Sequence, residues 1–438
     1  MHTSTAAATS AAVDKAIDAM IEKAIARQAT DIHIEPRERT IVVRFRIDGW
    51  LHETAKLPLG ALSGIVANLK SRAALDTTEV FTPQSGSFTF TSSQYDTTIF
   101  VATMPTIDGE KVALQLTPQL SEAATLESLG YWGNGLAHIE NAIAEPYGLV
   151  IATSPNKTIT SLSLLGIVHL LNNPALNIAT LENPIEQHVS GINQTQVNLA
   201  AGISFSTGLQ ALLKQDPNVV MIGDMHEQET VALALHAALS GHLILGGLHT
   251  NSAAHGIAHL LHMHSEPFIV AAALKISLGQ RLVRRLCPTC RESYAPDESV
   301  RADLKKLLKL CGVSSVKHLH GLEVQAAEAG VGPAETSSLG TTPSGITTLW
   351  RAHADGCPHC HFTGYSGRVG ICEVLVNSEA MKQCIANQAS VQEMQRLAVQ
   401  EGMVPLQLDG LIKALRGLTT LEDILPLLVA MPQSGIVI

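Results

Sequence analysis

GLVIATSPNKTITSLSLL, residues 148–165, is the stretch of sequence that decides how the chain folds and what it can bind. Its apolar start suits a buried strand, its middle is a turn rich in Ser, Pro and Thr, and its end has apolar residues at helical spacing. This is the frame of a phosphate-binding loop, whose glycines let backbone N–H groups converge on phosphates and whose lysine reaches the β- and γ-phosphates. Both glycines and the lysine are missing from the positions where that loop needs them.

Residues 154–161 read SPNKTITS when they are aligned without gaps to the motif GxxxxGK(S/T). Ser154 and Ile159 stand in place of the two glycines, and a positive φ is strongly disfavoured for the β-branched Ile159. Thr160 replaces the lysine, so that only Ser161 keeps the hydroxyl that would hold magnesium.

A shifted alignment places Lys157 and Thr158 on the Lys-Thr pair of the motif. That shift shortens the loop by three residues and still supplies no glycine. The stretch therefore predicts either a strand-turn-helix kept for packing, with no phosphate bound, or weak nucleotide binding at the N-terminus of the helix, where free N–H groups favour anions.

Composition limits the class of protein. The 438 residues, of which 46% are apolar, suffice for more than one hydrophobic core, and 4% aromatic content favours α/β or helical packing over an all-β sandwich. A formal net charge of -10 gives no overall basic field, so nucleic acid is not expected as a partner. The most apolar windows are broken by histidine and glycine, which predicts no transmembrane span, and the start lacks the pattern of a secretory signal.

The order of apolar runs predicts several domains. An alternating strand pattern with a hairpin turn at Asp48-Gly49 is typical of a small α/β domain, and later strand-like runs alternate with helical patterns, which indicates a parallel sheet covered by helices. The predicted segments are a disordered tail over 1–12, the α/β domain over 13–120, the sheet domain over 134–286, a cysteine-bearing subdomain over 287–375 with a flexible insertion at 322–348, and a helical region over 376–438.

Four of the seven cysteines form two CxxC pairs, Cys287 with Cys290 and Cys357 with Cys360. Each pair can place two thiolates on one tetrahedral zinc ion. The pattern indicates a metal site in a reducing cytoplasm rather than disulfides. Four unrelated buried cysteines are the alternative, which the identical spacing and the internal proline of both pairs disfavour.

The motifs DIHIEP, PQSG, MPTIDGEKV, TLENPIE, GINQTQVN, QDPNVVMIGD, AALSGHLILGGLHTN and CPTC…GCPHCHFTGYSGRVGICEVL follow one another along the chain. In this order, from about residue 13 to residue 400, the chain resembles the type II secretion and type IV pilus assembly ATPases, the secretion-system protein E family. The resemblance implies an α/β fold: a PAS-like N-terminal domain, a RecA-like parallel-sheet core of the P-loop NTPase type, a tetracysteine zinc subdomain and a helical C-terminal tail.

The same resemblance assigns roles to acidic residues and histidines. Glu182 matches an acidic motif that orients water or metal near the γ-phosphate, and Asp224 ends a Walker-B-like strand and would hold magnesium through water. His242 and His249 match histidines near the γ-phosphate. In an active enzyme Glu182, Asp224 and His249 would be the catalytic residues, although each also fits an ordinary structural role.

The chain departs from the family at several positions where a charged residue is expected. Asn183 stands in place of an aspartate and His226 in place of an arginine, while Phe100, Gln115, Gln210 and His259 occupy positions where basic residues are common. Arginines neutralise the charge that develops in phosphoryl transfer. The joint absence of these basic residues therefore predicts that charge neutralisation at the phosphates has been lost.

Three hypotheses remain. The first is a subunit of a hexameric ring, homomeric or mixed with an intact ATPase paralogue, that acts structurally or regulatorily with ATP binding and hydrolysis lost or strongly weakened. The second is an active motor that uses Lys157, Glu182 and Asp224 with ATP and Mg²⁺. Both imply a cytoplasmic protein at the inner face of the plasma membrane, zinc as a cofactor and an inner-membrane platform protein as a partner. The third, a zinc-dependent nucleic-acid-binding protein, is disfavoured by acidic charge and few aromatic residues.

Overall fold

The computed structural model describes residues 3–27, 29–47, 49–92, 96–116, 125–263, 265–313, 315–332 and 339–429. The chain divides into two compact units, Met1–Ser121 and Glu122–Ile438. Within the described ranges, no helix is both long and apolar enough to cross a membrane.

The first unit is a six-stranded antiparallel sheet with two helices, in the strand order β3-β2-β1-β6-β5-β4. Alternate residues of β1, among them Ile32 and Ile34, point into a core shared with Ile17 and Leu69 of the helices. Its elements are α1 (Thr3–Ala26), β1 (Ala29–Pro36), β2 (Thr40–Ile47), β3 (Trp50–Pro58), α2 (Leu62–Arg72), β4 (Gln84–Thr91), β5 (Asp96–Thr106) and β6 (Gly109–Leu116).

Two expectations for this unit are affected by the structure. Helix α1 begins at Thr3, so residues 3–12 are helical and the expectation of a disordered tail is wrong there; alanine, the best helix former, is frequent in this stretch. The hairpin expected at Asp48-Gly49 includes Asp48, which lies outside the described residues. The strands on either side pair antiparallel, and Gly49 has a φ of 89°.

The second unit has a seven-stranded sheet with helices on both faces. Its first elements are α3 (Gly133–Ile143), β7 (Gly148–Thr153), α4 (Lys157–Leu171), β8 (Ile178–Glu182), β9 (Asn193–Gln196), α5 (Phe205–Leu213), β10 (Val219–Ile222), α6 (Gln228–Leu239), β11 (Leu243–Leu248), α7 (Ala253–His262), α8 (Pro267–Ala273) and β12 (Leu274–Leu286). The remaining elements are β13 (Glu292–Tyr294), α9 (Glu298–Leu310), α10 (Val316–Glu328), β14 (Thr341–Thr342), β15 (Gly345–Ile346), β16 (Leu349–Arg351), β17 (Tyr365–Val376), α11 (Glu379–Ala386), α12 (Val391–Gln400), α13 (Leu406–Leu415) and α14 (Leu421–Val429).

The strand order β17-β12-β7-β11-β10-β8-β9 is parallel throughout except for the antiparallel pair of β12 and β17. Every residue of β7 is buried: Leu149 and Ile151 face one core, and Val150 and Ala152 face the other. Continuous apolar runs are typical of strands buried on both faces, and the predicted parallel sheet is confirmed. The carboxyl ends of β7, β8, β10 and β11 meet at one edge, which we call the carboxyl edge.

The cysteine-bearing region lies between β12 and β17 in the chain. Strand β17 pairs with β12 along its length, so the last residues of the segment 287–375 belong to the large sheet. The expectation of a flexible insertion over 322–348 is wrong for residues 322–328, which end α10, and for the short hairpin of β14 and β15. The buried carboxylate of Glu323 fixes this hairpin by accepting hydrogen bonds from Gly340 N–H (2.6 Å) and Thr341 Oγ1 (2.5 Å).

Candidate functional site

The turn between β7 and α4 is only three residues long, Ser154–Asn156. The side chain of Asn156 caps the helix by accepting a hydrogen bond from Thr158 N–H at 3.0 Å. Ser154 Oγ accepts from Asn156 N–H at 3.2 Å, and Pro155 has no N–H to offer. Side chains of the turn therefore already accept hydrogen bonds from two of the backbone N–H groups that a phosphate would need.

Helix α4 begins inside the frame of the expected loop. Five of the eight positions in 154–161 belong to the helix, since it starts at Lys157. Ile159, Thr160 and Ser161 are only 7%, 1% and 5% exposed, and Thr160 N–H donates to Asn156 O at 3.3 Å. No residue of 154–161 has a positive φ. With no glycine and an effective cap, the segment winds into a helical turn, and N–H groups used within a helix cannot converge on a phosphate.

Asp224 lies at the carboxyl edge just after β10 and gathers three basic side chains. Its Oδ2 lies 3.5 Å from Lys157 Nζ, 3.3 Å from His249 Nε2 and 3.3 Å from His226 Nδ1. Burial acts to raise the pKa of Asp224, but the hydrogen bond from His249 and the nearby positive charges outweigh it and hold the pKa below its usual value. Lys157, the first residue of α4, is thus engaged by a carboxylate of the same chain.

The buried Glu182 and the partly buried Glu186 lie on the β8 side of this edge. Glu182 is 1% exposed, and its Oε1 accepts from Thr180 Oγ1 at 2.6 Å and from Gln194 Nε2 at 3.0 Å; burial raises its pKa. Burial also raises the pKa of Glu186 to about 7, with a smaller raising effect from the charge of Glu182. Among the described residues, Glu182 Oε2, Glu186 Oε2 and Asp224 Oδ1 are buried without a hydrogen-bond partner. Sequence reasoning missed Thr180 and Gln194, although Thr180 shares a strand face with Glu182 and Gln194 pairs with Thr180 across β8 and β9.

Replacement of Glu186 by glutamine is expected to remove a pH-dependent loss of stability. The pKa of Glu186 is about 7 in the folded protein and 4.5 in the reference state, so its stabilising contribution is complete below pH 4.5 and is lost as the pH rises through 7. A shift of this size corresponds to about 3 kcal/mol. Urea unfolding should show Glu186→Gln gaining up to about 3 kcal/mol over the wild type near pH 8 and little near pH 4. The exposed Glu229→Gln serves as the control, and identical pH profiles for wild type and Glu186→Gln would contradict the assignment.

The two histidines of the resemblance lie at opposite ends of β11. His249 follows the strand at the carboxyl edge, beside Asp224. His242 precedes the strand, with Nδ1 3.1 Å from the carbonyl oxygen of Pro217, and so lies at the end of β11 away from Asp224. Six strand residues separate the two ends by about 20 Å.

The positions where basic residues were expected are divided between the two units. In the first unit, Phe100 and Gln115 are paired neighbours on β5 and β6. In the second, Gln210 is exposed on α5, whereas burial lowers the pKa of His259 on α7, with further lowering from His262 and His249.

The four paired cysteines form one cluster between the end of β12 and the start of β17. Sγ of Cys287 lies 3.7 Å from Sγ of Cys357, and Sγ of Cys290 lies 3.8 Å from Sγ of Cys360. All four sulfur atoms lie within 4.8 Å of one another. A zinc–sulfur bond of about 2.3 Å places tetrahedral thiolates about 3.8 Å apart. The donor set therefore fits a tetrahedral metal ion, and the group could hold one.

Backbone donors prepare one of these sulfurs for a metal. Cys357 N–H and Gly364 N–H donate to Cys360 Sγ at 3.1 and 3.2 Å. Burial acts to raise the pKa of Cys360, but these donors and the neighbouring thiols lower it to about 6. A thiolate is the form that binds metal. Among the described residues, the cluster consists of these four cysteines and includes none of His353, His359 and His361.

Comparison with protein families matches residues 6–426 to the family described as Type II/IV secretion system protein. The type IV pilus assembly ATPase PilB of Thermus thermophilus is 36% identical over 414 residues, which cover 94% of this chain and 43% of that protein. Type II secretion system protein E of Pseudomonas aeruginosa is 37% identical over 417 residues, covering 95% of this chain and 75% of that protein. The chain thus spans less than half of the first relative and three quarters of the second.

Two solved structures share the fold. The ATPase DotB of Legionella pneumophila gives a TM-score of 0.63 at 17% identity and covers 95% of both chains. The pilus retraction motor PilT with bound ADP gives 0.57 at 19% identity, covering 95% of this chain and 97% of that one. At such low identity the likeness establishes the fold, and the α/β architecture expected from the sequence is confirmed.

Proposed function

The chain belongs to the Type II/IV secretion system protein family, and from that premise we propose that it is a ring subunit of a type II secretion or type IV pilus assembly machine whose own ATP binding and hydrolysis are lost or strongly weakened. In this role it acts structurally or regulatorily, in the cytoplasm at the inner face of the plasma membrane. Its partners are further ring subunits, identical copies or an intact ATPase paralogue in a hexamer, and an inner-membrane platform protein. Zinc, held by Cys287, Cys290, Cys357 and Cys360, supplies a structural cross-link.

The early start of α4 carries this proposal. A phosphate-binding loop needs a wide turn of free N–H groups and a free ammonium group. Here the lysine position is filled by Thr160, 1% exposed inside the helix, and the nearby ammonium group of Lys157 is bound to Asp224. What remains at the carboxyl edge is a group of acidic side chains with unpaired oxygens, and carboxylate oxygens offer a triphosphate no hydrogen-bond donors.

An active motor is the second candidate, and one observation favours it. Lys157, Asp224 and His249 come together at the same edge as Glu182, whose Oε2 is free to accept a proton or to orient water. In that case Lys157 would leave Asp224 for the phosphates, Asp224 would hold Mg²⁺ through water and Glu182 would act as the base.

Calorimetry with Mg-ATP and a phosphate-release assay on the purified, zinc-loaded full chain separate the two candidates. We expect a dissociation constant above about 1 mM and phosphate release at the background rate. Submillimolar binding together with turnover that Glu182→Gln abolishes, while the exposed control Glu229→Gln keeps it, would establish the motor and reject our proposal. Submillimolar binding without turnover would contradict the proposed loss of ATP binding but would remain compatible with a structural or regulatory role.

A further inference from the structure

Helix α9 carries a row of basic side chains on an otherwise acidic chain. Helix α9 and its N-cap Asp297 hold four Lys or Arg and three acidic residues, Asp297, Glu298 and Asp303, in a chain whose formal net charge is -10. Arg301, Lys305 and Lys309 are spaced by four residues, so they share one helix face over about 12 Å. All three are exposed, and the side chain of the adjacent Lys306 is 76% exposed. We call these four residues the basic face of α9.

The opposite face of α9 fixes this orientation. Leu304, Leu307 and Leu308 are 1%, 1% and 4% exposed and belong to a core cluster that includes Leu411 and Leu415 of α13. Rotating the helix would bring these leucines into water, at a cost of about 2 kcal/mol for each. The basic face therefore points permanently to solvent.

The positive charge of this face is only partly balanced within the described part of the chain, where exposed Glu298 lies three residues before Arg301 on the same helix face. Lys306 forms a solvent-exposed ion pair with Asp303 at 3.2 Å, and Arg301 Nε donates to the carbonyl oxygen of Pro296 at 3.0 Å. The described ranges contain no recorded ion pair for Lys305 or Lys309. Only Lys309 lies in the last turn, where the helix dipole alone favours a cation. The described contacts thus supply no counterion for Lys305.

We propose that the basic face of α9 binds anionic lipid headgroups at a membrane surface. Lysine is a flexible point charge, which suits a diffuse anionic surface better than a site that needs bidentate geometry. A protein partner would usually need an apolar or aromatic anchor. Among the residues between Phe268 and Phe362 whose side chains the structure describes, a set that leaves out Leu310, no large hydrophobic side chain is exposed. The acidic charge of the whole chain opposes a long nucleic acid, while a local face can still approach a membrane.

This inference rests on the proposed function only for its choice of the inner membrane as the surface concerned. Vesicle binding by α9 does not depend on whether the carboxyl edge of the sheet binds ATP. The two proposals can therefore fail separately.

Flotation of the zinc-loaded full chain with vesicles tests the proposal. The vesicles contain either phosphatidylcholine alone or one quarter phosphatidylglycerol. We expect binding only to the anionic vesicles at about 50 mM salt, with release at about 500 mM. Each basic residue near such a surface contributes about fivefold in affinity, so Lys305→Gln, Lys306→Gln and Lys309→Gln combined should weaken binding on the order of 100-fold.

A second triple variant controls for net charge. Lys15, Lys23 and Lys214 are also exposed, so Lys15→Gln, Lys23→Gln and Lys214→Gln combined remove the same charge elsewhere and should leave binding within about twofold of the wild type. Absence of wild-type binding to the anionic vesicles, or equal loss in both triple variants, would overturn the proposal. Retention of the wild type by duplex DNA but not by vesicles would assign the basic face to nucleic acid and also overturn it. Circular dichroism checks that all variants are folded.

Discussion

Serine in place of Cys360 is expected to abolish zinc binding and to destabilise the second unit by at least about 3 kcal/mol. Cys360 is one of four thiols whose sulfur atoms are already at the separation of tetrahedral zinc ligands, and it accepts two backbone hydrogen bonds as a thiolate. A serine hydroxyl is a much poorer zinc ligand, because zinc prefers thiolate and imidazole donors. Three remaining cysteines cannot close a structural site.

The size of this effect follows from what the metal would connect. Cys287 directly follows β12, and Cys357 lies 70 residues further along the chain, shortly before β17. A cross-link that closes a loop of this length restricts the unfolded chain by about 4 kcal/mol in the chain-entropy model. Loss of the metal would therefore open the loop that contains α9 and α10 at its base, while the core that these helices share with α13 remains.

Metal analysis by mass spectrometry and urea unfolding measure the two parts of this prediction. The wild type should hold one zinc per chain and lose stability when a chelator is added, whereas Cys360→Ser should hold none and should not respond to the chelator. Cys384→Ser is the matched control, since Cys384 is a free cysteine outside the cluster. Full zinc content in Cys360→Ser, or equal stability of Cys360→Ser and wild type, would refute the structural metal site.

The sequence predicts the parts of the fold in which one local signal determines the structure. The strands around LVIAT and NVVMIGD are continuous apolar runs, and such runs are buried on both faces only in a covered parallel sheet. The two CxxC pairs indicate one cluster, because the spacing within each pair is already that of a metal knuckle. In both cases burial or ligand spacing leaves few alternatives.

The site could be predicted only in part, because its geometry depends on contacts between distant segments. The segment SPNKTITS can form either a loop or a helical turn. The helical turn is determined by the Asn156 cap and by the burial of Thr160 against neighbouring strands. The approach of Lys157 and His249 to Asp224 joins three segments of the sheet. The resemblance assigned both His242 and His249 to positions near the γ-phosphate, although the two residues flank the strand β11, whose length separates them.

Helix α13 gives a further case in which the sequence pattern suggests the wrong environment. Asp409 and Lys413 are four residues apart, a spacing typical of ion pairs on an exposed helix face. In the structure each side chain is only 1% exposed, and Lys413 Nζ lies 2.5 Å from Asp409 Oδ2. On an exposed helix face an ion pair of this spacing contributes a few tenths of a kcal/mol to stability. Because the pair of Asp409 and Lys413 is buried, the packing of several segments depends on it.

Replacement of Asp409 by alanine is expected to lower the free energy of unfolding by about 3 to 5 kcal/mol. Asp409 accepts hydrogen bonds from Trp132 Nε1 at 2.5 Å and from Cys372 N–H at 2.7 Å, in addition to its ion pair with Lys413. It therefore joins the segment before α3, the strand β17 and α13. Without it, the ammonium group of Lys413 keeps only the carbonyl oxygens of Gly130 and Gly370 and remains a buried charge without a counterion.

Urea unfolding of four variants separates the buried charge from the lost hydrogen bonds. Asp303→Ala removes one partner of the exposed pair with Lys306 and should cost less than about 1 kcal/mol. Asp409→Asn keeps the shape and one acceptor oxygen, so it should fall between wild type and Asp409→Ala. Adding Lys413→Met to Asp409→Ala removes the uncompensated charge and should recover part of the loss, because an apolar chain of similar length fills the same space. The double variant could instead be less stable than Asp409→Ala by the full cost of a second core substitution. The buried ammonium group would then not be the source of the instability. The loss of stability would have to be assigned to the hydrogen bonds that Trp132 and Cys372 donate to Asp409.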